Sequence, residues 1–388
     1  MKILMLMWKS FGNEDIKIAF EQSGHQVIEF AYSDKGERTD DQLEQEITST
    51  IRRSVPDFVF SFNYFPVVAL ACQKLGLPYV SWIYDSPYVR MYHYSVNAPT
   101  NHVFVFDKAQ YLEFHNAGIS TVHYLPMAAN TDRLCAMNDF ASFEKTPWKN
   151  QHDVAFIGSL YTEKHQFFQR MDKITDYTKG YLQGLMAAQK QVQGYNFIQE
   201  LLPPDIIKDM QNSLPMTPGH DSVESIEYLF AQYVINREIT AQERQEYLSA
   251  VAELFSLDLY TPDKNLKMKG CTNHGPVDYY DFAPYVFKTA KISLNISLRS
   301  ILSGIPLRAF DIMGAGGFLL TNFQSDFLDY FVPDEDFVYY ESKTDMLTKI
   351  AYYLEHEEER AQIAQNGLNR IKESHTYKHR VKEITSYL

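Results

Sequence analysis

The sequence predicts an α/β protein with two doubly wound, Rossmann-like domains that face a cleft. Short apolar runs alternate with helical segments in both halves of the chain, which is typical of parallel sheets covered on both faces. A chain of 388 residues has the length of two ordinary domains. The alternation stops in a polar stretch near residue 140 and begins again with a strand and a glycine turn, so we expect one domain on each side.

The composition is that of a globular protein without a strongly basic surface. Hydrophobic residues make up 45% of the chain, charged residues make up 22%, and the formal net charge is −13. Because nucleic-acid binding depends on clustered lysine and arginine, this balance argues against a nucleic-acid partner. No apolar run approaches the ~20 residues of a membrane span. Cys72, Cys135 and Cys271 lack the CxxC spacing of a zinc site. We expect a cytoplasmic protein.

The first domain is predicted over residues 1–140. The opening KILMLMW is a buried-strand run, the segment after it predicts a turn and a helix that ends at Gly24, and HQVIEF is the next strand. Strand, helix and strand at this pitch form a βαβ unit of a parallel sheet. Further strand candidates are DFVFSF at 57–62, YVSWIYD at 79–85, HVFVFD at 102–107 and TVHYLPMAA at 121–129.

The second domain is predicted over residues 153–388, after a polar linker at 141–152. It begins with the strand DVAFIGSL and continues with a helical insertion at about 163–258, in which TAQER at 240–244 has the form of a capping box. The insertion would cover the acceptor side of the cleft or form a homo-oligomer contact. The strands LDLYTP, KISLNIS, FLLTN and DFVYY follow, and the terminal helix is free to pack back on the first domain.

The stretch GIPLRAFDIMGAGGFLLTN predicts a helix from Ile305 to Met313, a glycine stop and a strand. The N-terminus of such a helix attracts an anion. Arg308 can donate two hydrogen bonds to a phosphate, and Asp311 lies three residues further on the same face, where a carboxylate can accept ribose hydroxyls. The pattern indicates a nucleotide site; in the alternative interpretation, Arg308 and Asp311 form a surface ion pair and GAGG is only a helix cap.

Residues 274–322 read HGPVDYYDFAPYVFKTAKISLNISLRSILSGIPLRAFDIMGAGGFLLTN. This stretch resembles the nucleotide-sugar-binding half of GT-B glycosyltransferases and, within them, the bacterial CgeB-type proteins, which are allied to retaining enzymes such as sucrose and glycogen synthases. WIYDSP at 82–87, FVFDKAQYLEFHNAGISTVHYLPMAANTDR at 104–133 and HTYKHR at 375–380 agree with the same group. The resemblance implies a GT-B fold with its nucleotide site in the second domain.

The resemblance also implies an activity. The protein would move a sugar from a nucleoside diphosphate donor, UDP-sugar favoured, to a hydroxyl of a glycan, protein or lipid-linked acceptor. Retention of configuration is implied, and no metal cofactor is expected because no DxD motif stands where a sheet would present it to a metal. Two other classes stay open: a non-catalytic nucleotide-sugar-binding or scaffold protein, and a sugar-nucleotide epimerase.

Two acidic residues stand eight positions apart in this family, the first near the donor sugar and the second on the ribose. The second falls on Asp311, but the first falls on Ser303, a hydroxyl in place of a carboxylate. Ser303 is therefore a candidate catalytic position that departs from the family pattern. The resemblance assigns the diphosphate to the backbone of Gly304 to Leu307 together with Arg308.

The other site candidates come from the same resemblance and from the positions of turns. Asp85 ends a strand and would orient or deprotonate the acceptor, or else cap a turn. The turn after the first strand contributes Gly12, which follows Ser10 and Phe11 where an open sheet places its ligand crevice. The remaining donor-side candidates are Gly158, Ser159 and Lys164 near the diphosphate, His274, Gly275 and Val277 around the base, Tyr260 or Tyr279 stacked on it, and Asn295. Lys164 has the alternative of being a solvated lysine.

Overall fold

The computed structural model describes residues 1–33, 40–136, 153–163 and 166–388, and the chain forms two compact units. The first unit comprises Met1–Ala128, Gly219–Glu224 and Ser374–Leu388; the second comprises Ala129–Pro218 and Ser225–Glu373. The first segment of this unit ends at Ala128, whereas the sequence predicts a boundary at residue 140. The predicted linker at 141–152 lies outside the described residues.

The first unit contains a parallel sheet with the strand order β2-β1-β3-β4-β5-β6. Its strands are β1 (Lys2–Met7), β2 (Gln26–Ala31), β3 (Phe58–Phe62), β4 (Tyr79–Ile83), β5 (Asn101–Val105) and β6 (Val122–Tyr124). Its first helices are α1 (Asn13–Gln22), α2 (Asp41–Ser54), α3 (Pro66–Leu75) and α4 (Lys108–Asn116), with 3₁₀ turns at Val89–Tyr92 and Tyr94–Asn97. The apolar runs predicted as strands form this sheet, and β3 and β4 are buried along their whole length.

The second unit contains a parallel sheet with the strand order β12-β11-β10-β7-β8-β9. Its strands are β7 (Val154–Ile157), β8 (Leu257–Tyr260), β9 (Cys271–Asn273), β10 (Ile292–Asn295), β11 (Leu319–Asn322) and β12 (Val338–Tyr340). The helices before β10 are α5 (Thr131–Ala136), α6 (Asp176–Lys190), α7 (Pro204–Ser213), α8 (Ile226–Leu229), α9 (Asn236–Leu254) and α10 (Ala283–Thr289). The later helices are α11 (Leu307–Gly314), α12 (Lys343–Glu355) and α13 (Glu357–Ser374), and short turns of helix occur at Gln199–Leu201 and Ser325–Asp329.

The last helix, α14 (Tyr377–Thr385), belongs to the first unit and packs against α1. The hydroxyl of Tyr377 reaches the turn before α1, where a Cβ atom on Gly12 would lie only 2.7 Å from it. Gly12 has a φ of 85°, which L side chains rarely adopt. This turn therefore requires glycine both for its backbone conformation and for the close approach of α14.

Each sheet changes direction at one point in its strand order. In the second sheet the chain moves from β7 outward through β8 and β9 and then returns to place β10 on the other side of β7. In the first sheet the change lies between β1 and β3. Open α/β sheets bind ligands outside the carboxyl ends of the strands at such points. A ligand site in the second unit is therefore expected at the loops after β7 and β10.

Helices α6 to α9 surround an apolar core of their own. Leu182, Leu185, Ile206 and Phe230 are among its buried members. A π-helical turn, Phe230–Ile235, joins α8 to α9. The capping box predicted at 240–244 is wrong. Thr240 lies inside α9, and its hydroxyl donates to the carbonyl of Asn236 at 2.8 Å, so the helix runs through this position without a break.

Helix α11 begins two residues later than the sequence predicts. Pro306 occupies the N-cap position with extended backbone angles, so the helix starts at Leu307 and not at Ile305. It ends at Gly314, and Gly316 follows with a φ of 78°. In the described part of the chain, no helix has both the length and the apolar character needed to cross a membrane.

Gly317, the last glycine of GAGG, allows a close approach between two backbone segments. A Cβ atom at this position would lie 2.4 Å from the carbonyl oxygen of Phe287 and 3.1 Å from that of Ile312. We expect Gly317→Ala to lower the free energy of unfolding by about 1–3 kcal/mol, because backbone atoms have to move apart. Urea denaturation followed by circular dichroism measures the change.

The matched control is Gly180→Ala in the exposed interior of α6, where an added Cβ would meet no atom within 4 Å. This control should raise the free energy of unfolding by up to about 1 kcal/mol, because alanine is the better helix former. Equal effects of the two substitutions would contradict the assignment of Gly317 as a position of close backbone contact.

Candidate functional site

The loop after β7 and the first turn of α11 meet at the switch point of the second sheet. Gly158 follows β7, and a Cβ atom at this position would lie 2.8 Å from Nη2 of Arg308. The absence of a side chain at Gly158 therefore lets the guanidinium approach the backbone. Arg308 also packs over Phe156, with 5.5 Å between the guanidinium carbon and the ring centroid. A cation thus lies beside the first N–H groups of α11, which have no partner within the helix.

Asn295 fixes the orientation of Arg308. Its side chain is fully buried at the end of β10, and its Oδ1 accepts a hydrogen bond from Nη1 of Arg308 at 3.0 Å. Its Nδ2 donates to the hydroxyls of Ser297 and Thr321 at 3.1 and 2.9 Å. Both ends of the amide are used within the protein. The structure therefore gives Asn295, which the sequence places among the donor-binding residues, a positioning role.

Arg244 of α9 lies close to Arg308 and is not among the residues that the sequence identifies. Its Nη1 donates to the carbonyl of Ser159 at 2.5 Å, and its Nε and Nη2 donate to the carbonyl of Ile296 at 3.1 and 2.5 Å. The first carbonyl belongs to the loop after β7 and the second to the loop after β10. Arg244 therefore joins the two loops of the switch point.

Positive charge accumulates at this point. Burial and the nearby charge of Arg244 lower the pKa of Arg308 to about 10, and burial lowers the pKa of Arg244 as well. A third cation, Arg237, stacks over the ring of Tyr161 at 4.6 Å, and Arg244 lies 5.0 Å from the same ring. An anion bound among these guanidinium groups would relieve their mutual repulsion.

One carboxylate lies in the same loop. Ser159 donates its hydroxyl to Oε2 of Glu163 at 2.7 Å, and the backbone N–H of Leu160 donates to Oε1 at 3.1 Å. Burial alone would raise the pKa of Glu163, but these hydrogen bonds, with one from Thr261, outweigh burial and lower it. Glu163 is therefore ionised and organises the loop. Lys164, the next predicted residue, lies outside the described residues.

Asp311 is buried on α11, and one of two adjacent tyrosines donates a hydrogen bond to it. Its Oδ2 accepts a hydrogen bond from the hydroxyl of Tyr279 at 3.0 Å. Arg133 of α5 packs over Tyr279 and Tyr280, with the guanidinium carbon 5.7 and 5.0 Å from the two ring centroids. Asp311 and Arg308 make side-chain hydrogen bonds to different residues, Tyr279 and Asn295, although the charge of Asp311 is near enough to act on Arg308. This geometry disfavours the alternative of a simple surface ion pair.

The residues predicted around the base lie at the ends of β8 and β9. His274 bonds through Nε2 to Oδ1 of Asp258 at 2.6 Å, and its ring stacks on Tyr260 with 4.7 Å between centroids. Tyr260 is buried, and this burial, with the charge of Asp258, raises the pKa of its hydroxyl. Gly275 follows with a φ of 76°, and Val277 packs on the apolar cluster around Tyr260. The hydrogen bond to Asp258 and the stacking on Tyr260 therefore fix the position of the His274 ring after β9.

The turn before α11 contains the remaining candidates of the second unit. Ser303 and Gly304 are buried, and the carbonyl of Ser303 accepts a hydrogen bond from the N–H of Asp326 at 3.1 Å. Leu307 is the first residue of α11 and is partly exposed. The buried turn therefore leads directly into the first turn of α11, which carries Arg308.

Gly12 and Asp85 lie in the first unit, at the carboxyl edge of its sheet. Asp85 is half-buried, and its Oδ2 accepts a hydrogen bond from Nδ2 of Asn63 at 2.7 Å. The ring of Tyr84 stacks on Trp8 of the loop that leads to Gly12, with 6.3 Å between centroids. The loops after β1, β3 and β4 are thus in contact at one edge.

Sequence reasoning missed Arg237 and Arg244 although a signal was present. They stand seven residues apart, which places them on one face of a helix. Arginine at such spacing is usual on a solvated helix surface, so the pattern alone does not indicate a ligand site. Their importance follows from the return of α9 to the sheet, which brings Arg244 to the loops after β7 and β10.

Comparison with known proteins agrees with this architecture. Residues 237–386 match the family Glyco_trans_1_2, described as glycosyl transferase-like. HepE from Anabaena, solved in complex with UDP-glucose, superposes with a TM-score of 0.55 at 12% identity, covering 100% of both chains. Sucrose-phosphate synthase from Thermosynechococcus elongatus gives 0.53 at 10% identity, covering 100% of this chain and 98% of that one.

A glycosyltransferase from Rickettsia africae gives a TM-score of 0.51 at 10% identity, covering 100% of this chain and 97% of that one. No curated protein matches the sequence. The structural neighbours establish the fold, and the family match supports a glycosyltransferase over residues 237–386. The chain therefore has the GT-B fold of the glycosyltransferases, and its C-terminal part matches a glycosyl transferase-like family.

Proposed function

We propose that the protein is a glycosyltransferase that uses a nucleoside diphosphate sugar as donor. The observation that carries the proposal is the group of cations at the switch point of the second sheet, where Arg308 lies beside Gly158 and the first turn of α11. Arg244 adds a second positive charge, and its side chain is buried. A diphosphate supplies the negative charge that these groups attract, and leaving-group stabilisation of this electrostatic kind is a major source of catalysis.

Asp311 supports a nucleotide in particular. Tyr279 uses one of its carboxylate oxygens, and Asp311 lies on the same helix as Arg308, one turn further along. A carboxylate can accept both hydroxyls of a ribose. The related fold of HepE was solved with UDP and UDP-glucose. We therefore propose a UDP-sugar as the donor. We also propose that the protein belongs to the CgeB-type group and that it acts in the cytoplasm.

In the proposed reaction the bond between the anomeric carbon and the diphosphate oxygen breaks while the acceptor oxygen forms a bond to that carbon. The two electrons of the broken bond leave with the diphosphate, whose charge Arg308 and the start of α11 stabilise. The acceptor hydroxyl loses its proton to a base, for which Asp85 is the candidate. We propose retention of configuration and no metal, with a glycan, protein or lipid-linked acceptor.

A second candidate function is nucleotide-sugar binding without transfer. Ser303 favours it, since a hydroxyl replaces the carboxylate that the family pattern has next to the donor sugar. Transfer or hydrolysis of UDP-glucose separates the two: an enzyme releases UDP with time, whereas a binding protein holds the sugar nucleotide intact. Release of UDP that is lost in Arg308→Met would support the enzyme.

Two substitutions in α11 should separate the proposed diphosphate and ribose contacts. Arg308→Met should weaken both UDP and inorganic pyrophosphate about tenfold to a hundredfold, because a hydrogen bond to a charged group contributes about 1.5–3 kcal/mol. Asp311→Asn should weaken UDP about tenfold and leave pyrophosphate unchanged, because it alters only the ribose contact. Isothermal titration calorimetry measures both affinities.

The control is Arg52→Met, which removes an exposed arginine from α2 in the first unit. It should leave both affinities unchanged. Equal loss of UDP and pyrophosphate in Asp311→Asn would contradict the ribose assignment, and unchanged binding in Arg308→Met would contradict the diphosphate site.

The reaction should not require a divalent cation, because arginine side chains provide the charge that a metal supplies in other sugar transferases. We expect the rate of UDP release from UDP-glucose to stay within about twofold of its original value after dialysis against EDTA. A coupled assay for UDP measures the rate. Loss of activity that added Mg²⁺ or Mn²⁺ restores would show that the proposal of metal independence is wrong.

A further inference from the structure

A polar pocket of about 400 Å³ opens between the helical part of the second unit and the loop after β10. This volume is within the range of small-molecule sites. The side chains that line it are polar apart from one leucine. They are Asn196, Gln199, Glu200, Ser225, Glu227 and Gln232.

A chain of three amides determines which group Gln232 presents to the pocket. Asn196 is oriented by the backbone: its Oδ1 accepts from the N–H of Ile198 at 3.1 Å, and its Nδ2 donates to the carbonyl of Arg299 at 2.9 Å. The same Nδ2 donates to Oδ1 of Asn236 at 2.9 Å, so Nδ2 of Asn236 faces Gln232 and donates to its Oε1 at 3.0 Å. Nε2 of Gln232 is therefore left as a donor.

Gln232 is only 6% exposed, yet the structure gives its Nε2 no hydrogen-bond acceptor among the described residues. Because the side chain lines the pocket, a ligand oxygen there would satisfy it. The amide thus points to a bound oxygen-rich molecule.

Acceptor groups line the same pocket. Glu227 is half-buried and has no hydrogen-bond partner in the described part of the chain. Glu200 accepts a hydrogen bond from the hydroxyl of Tyr195 at 2.6 Å, which holds it at the pocket mouth. Ser225 accepts from the N–H of Tyr228 at 3.0 Å and keeps its own O–H to donate.

The mixture of donors and carboxylates selects the ligand class. No lysine, arginine or histidine is among the residues that line the pocket, so an anionic ligand would meet two carboxylates without compensation. Adjacent hydroxyls both donate and accept, which matches carboxylates beside an amide N–H group and a serine hydroxyl. A neutral saccharide has this pattern around its ring.

We propose that this pocket binds a neutral saccharide and that it is the subsite for the acceptor sugar. The assignment as acceptor rests on the proposed glycosyl transfer. Leu302, which also lines the pocket, directly precedes Ser303 and the turn into α11. The pocket therefore adjoins the loop that carries the proposed donor residues within the same unit.

The test uses the full chain, fluorescently labelled, on an array of oligosaccharides. The array carries neutral glucose, galactose, mannose and N-acetylglucosamine oligomers together with sialylated and uronic-acid oligomers. We expect binding to at least one neutral oligomer, with an affinity that Glu227→Ala and Gln232→Leu each lower by about tenfold or more. Glu253→Ala, which removes an exposed carboxylate of α9 outside the pocket, is the matched control and should bind as the original protein does.

The affinity for UDP-glucose, measured in parallel, should be the same in all of these variants. If Gln232→Leu fails to fold, Glu227→Ala alone decides. Binding to no neutral oligomer, binding to acidic oligomers only, or binding that Glu227→Ala leaves unchanged would overturn the saccharide site. Saccharide binding that needs Glu227 in a protein without affinity for any UDP-sugar would overturn the acceptor assignment and the proposed function while leaving a saccharide site.

Discussion

The hydrogen bonds of Arg244 to two backbone carbonyls are the constraint on which the rest of the site depends. The carbonyls of Ser159 and Ile296 belong to loops on neighbouring strands that are far apart in sequence. Burying a guanidinium costs several kcal/mol unless its donors are used, and here Nε, Nη1 and Nη2 all find acceptors. These acceptors are neutral carbonyls, so the hydrogen bonds themselves are not ion pairs, while the carboxylates of Glu163 and Glu243 lie near enough to act on the charge of Arg244.

The same helix holds the loop after β10 from a second direction. The hydroxyl of Thr240 accepts a hydrogen bond from the N–H of Arg299 at 2.9 Å. The guanidinium of Arg299 pairs with Glu243 in a buried, two-point ion pair and donates to the carbonyl of Val192 at 2.9 Å. Arg299 therefore has its charge neutralised. Arg299 thus forms an ion pair with a carboxylate, whereas Arg244 makes its hydrogen bonds to neutral carbonyls.

Much of the fold follows from the sequence, because continuous apolar runs and glycine turns specify buried parallel strands directly. The exceptions depend on tertiary contacts. β9 is three residues, Cys271–Asn273, without an apolar pattern, so its pairing with β8 is a tertiary effect. Thr240 and Glu243 have capping-box spacing, yet both are used in tertiary contacts from inside α9.

The residues of the candidate site also fall into those that the sequence predicts and those that it does not. Arg308 and Asp311 were visible because one short helix carries them next to a glycine stop, and local spacing is what a sequence displays. The roles of Arg237, Arg244 and Gln232 could not be predicted from the sequence, because they depend on how α9 and the turn before it pack against the rest of the second unit. Asn295 was visible as a residue of the region, but its role in orienting Arg308 required the distance between the two side chains.

The π-helical turn before α9 accounts for the arrangement of the polar pocket. In an α-helix, residues five positions apart point about 140° away from each other. A π-helical turn is wider than an α-helical turn, so each residue within it advances by a smaller angle around the helix axis. Glu227 and Gln232 are five apart and both line the pocket, with the π-helical segment Phe230–Ile235 beginning between them. The wider turn therefore makes the angle between these two side chains smaller than it would be in a regular helix. The irregular turn thus brings a carboxylate and an amide donor to the same ligand, while α9 continues undisturbed to Arg244.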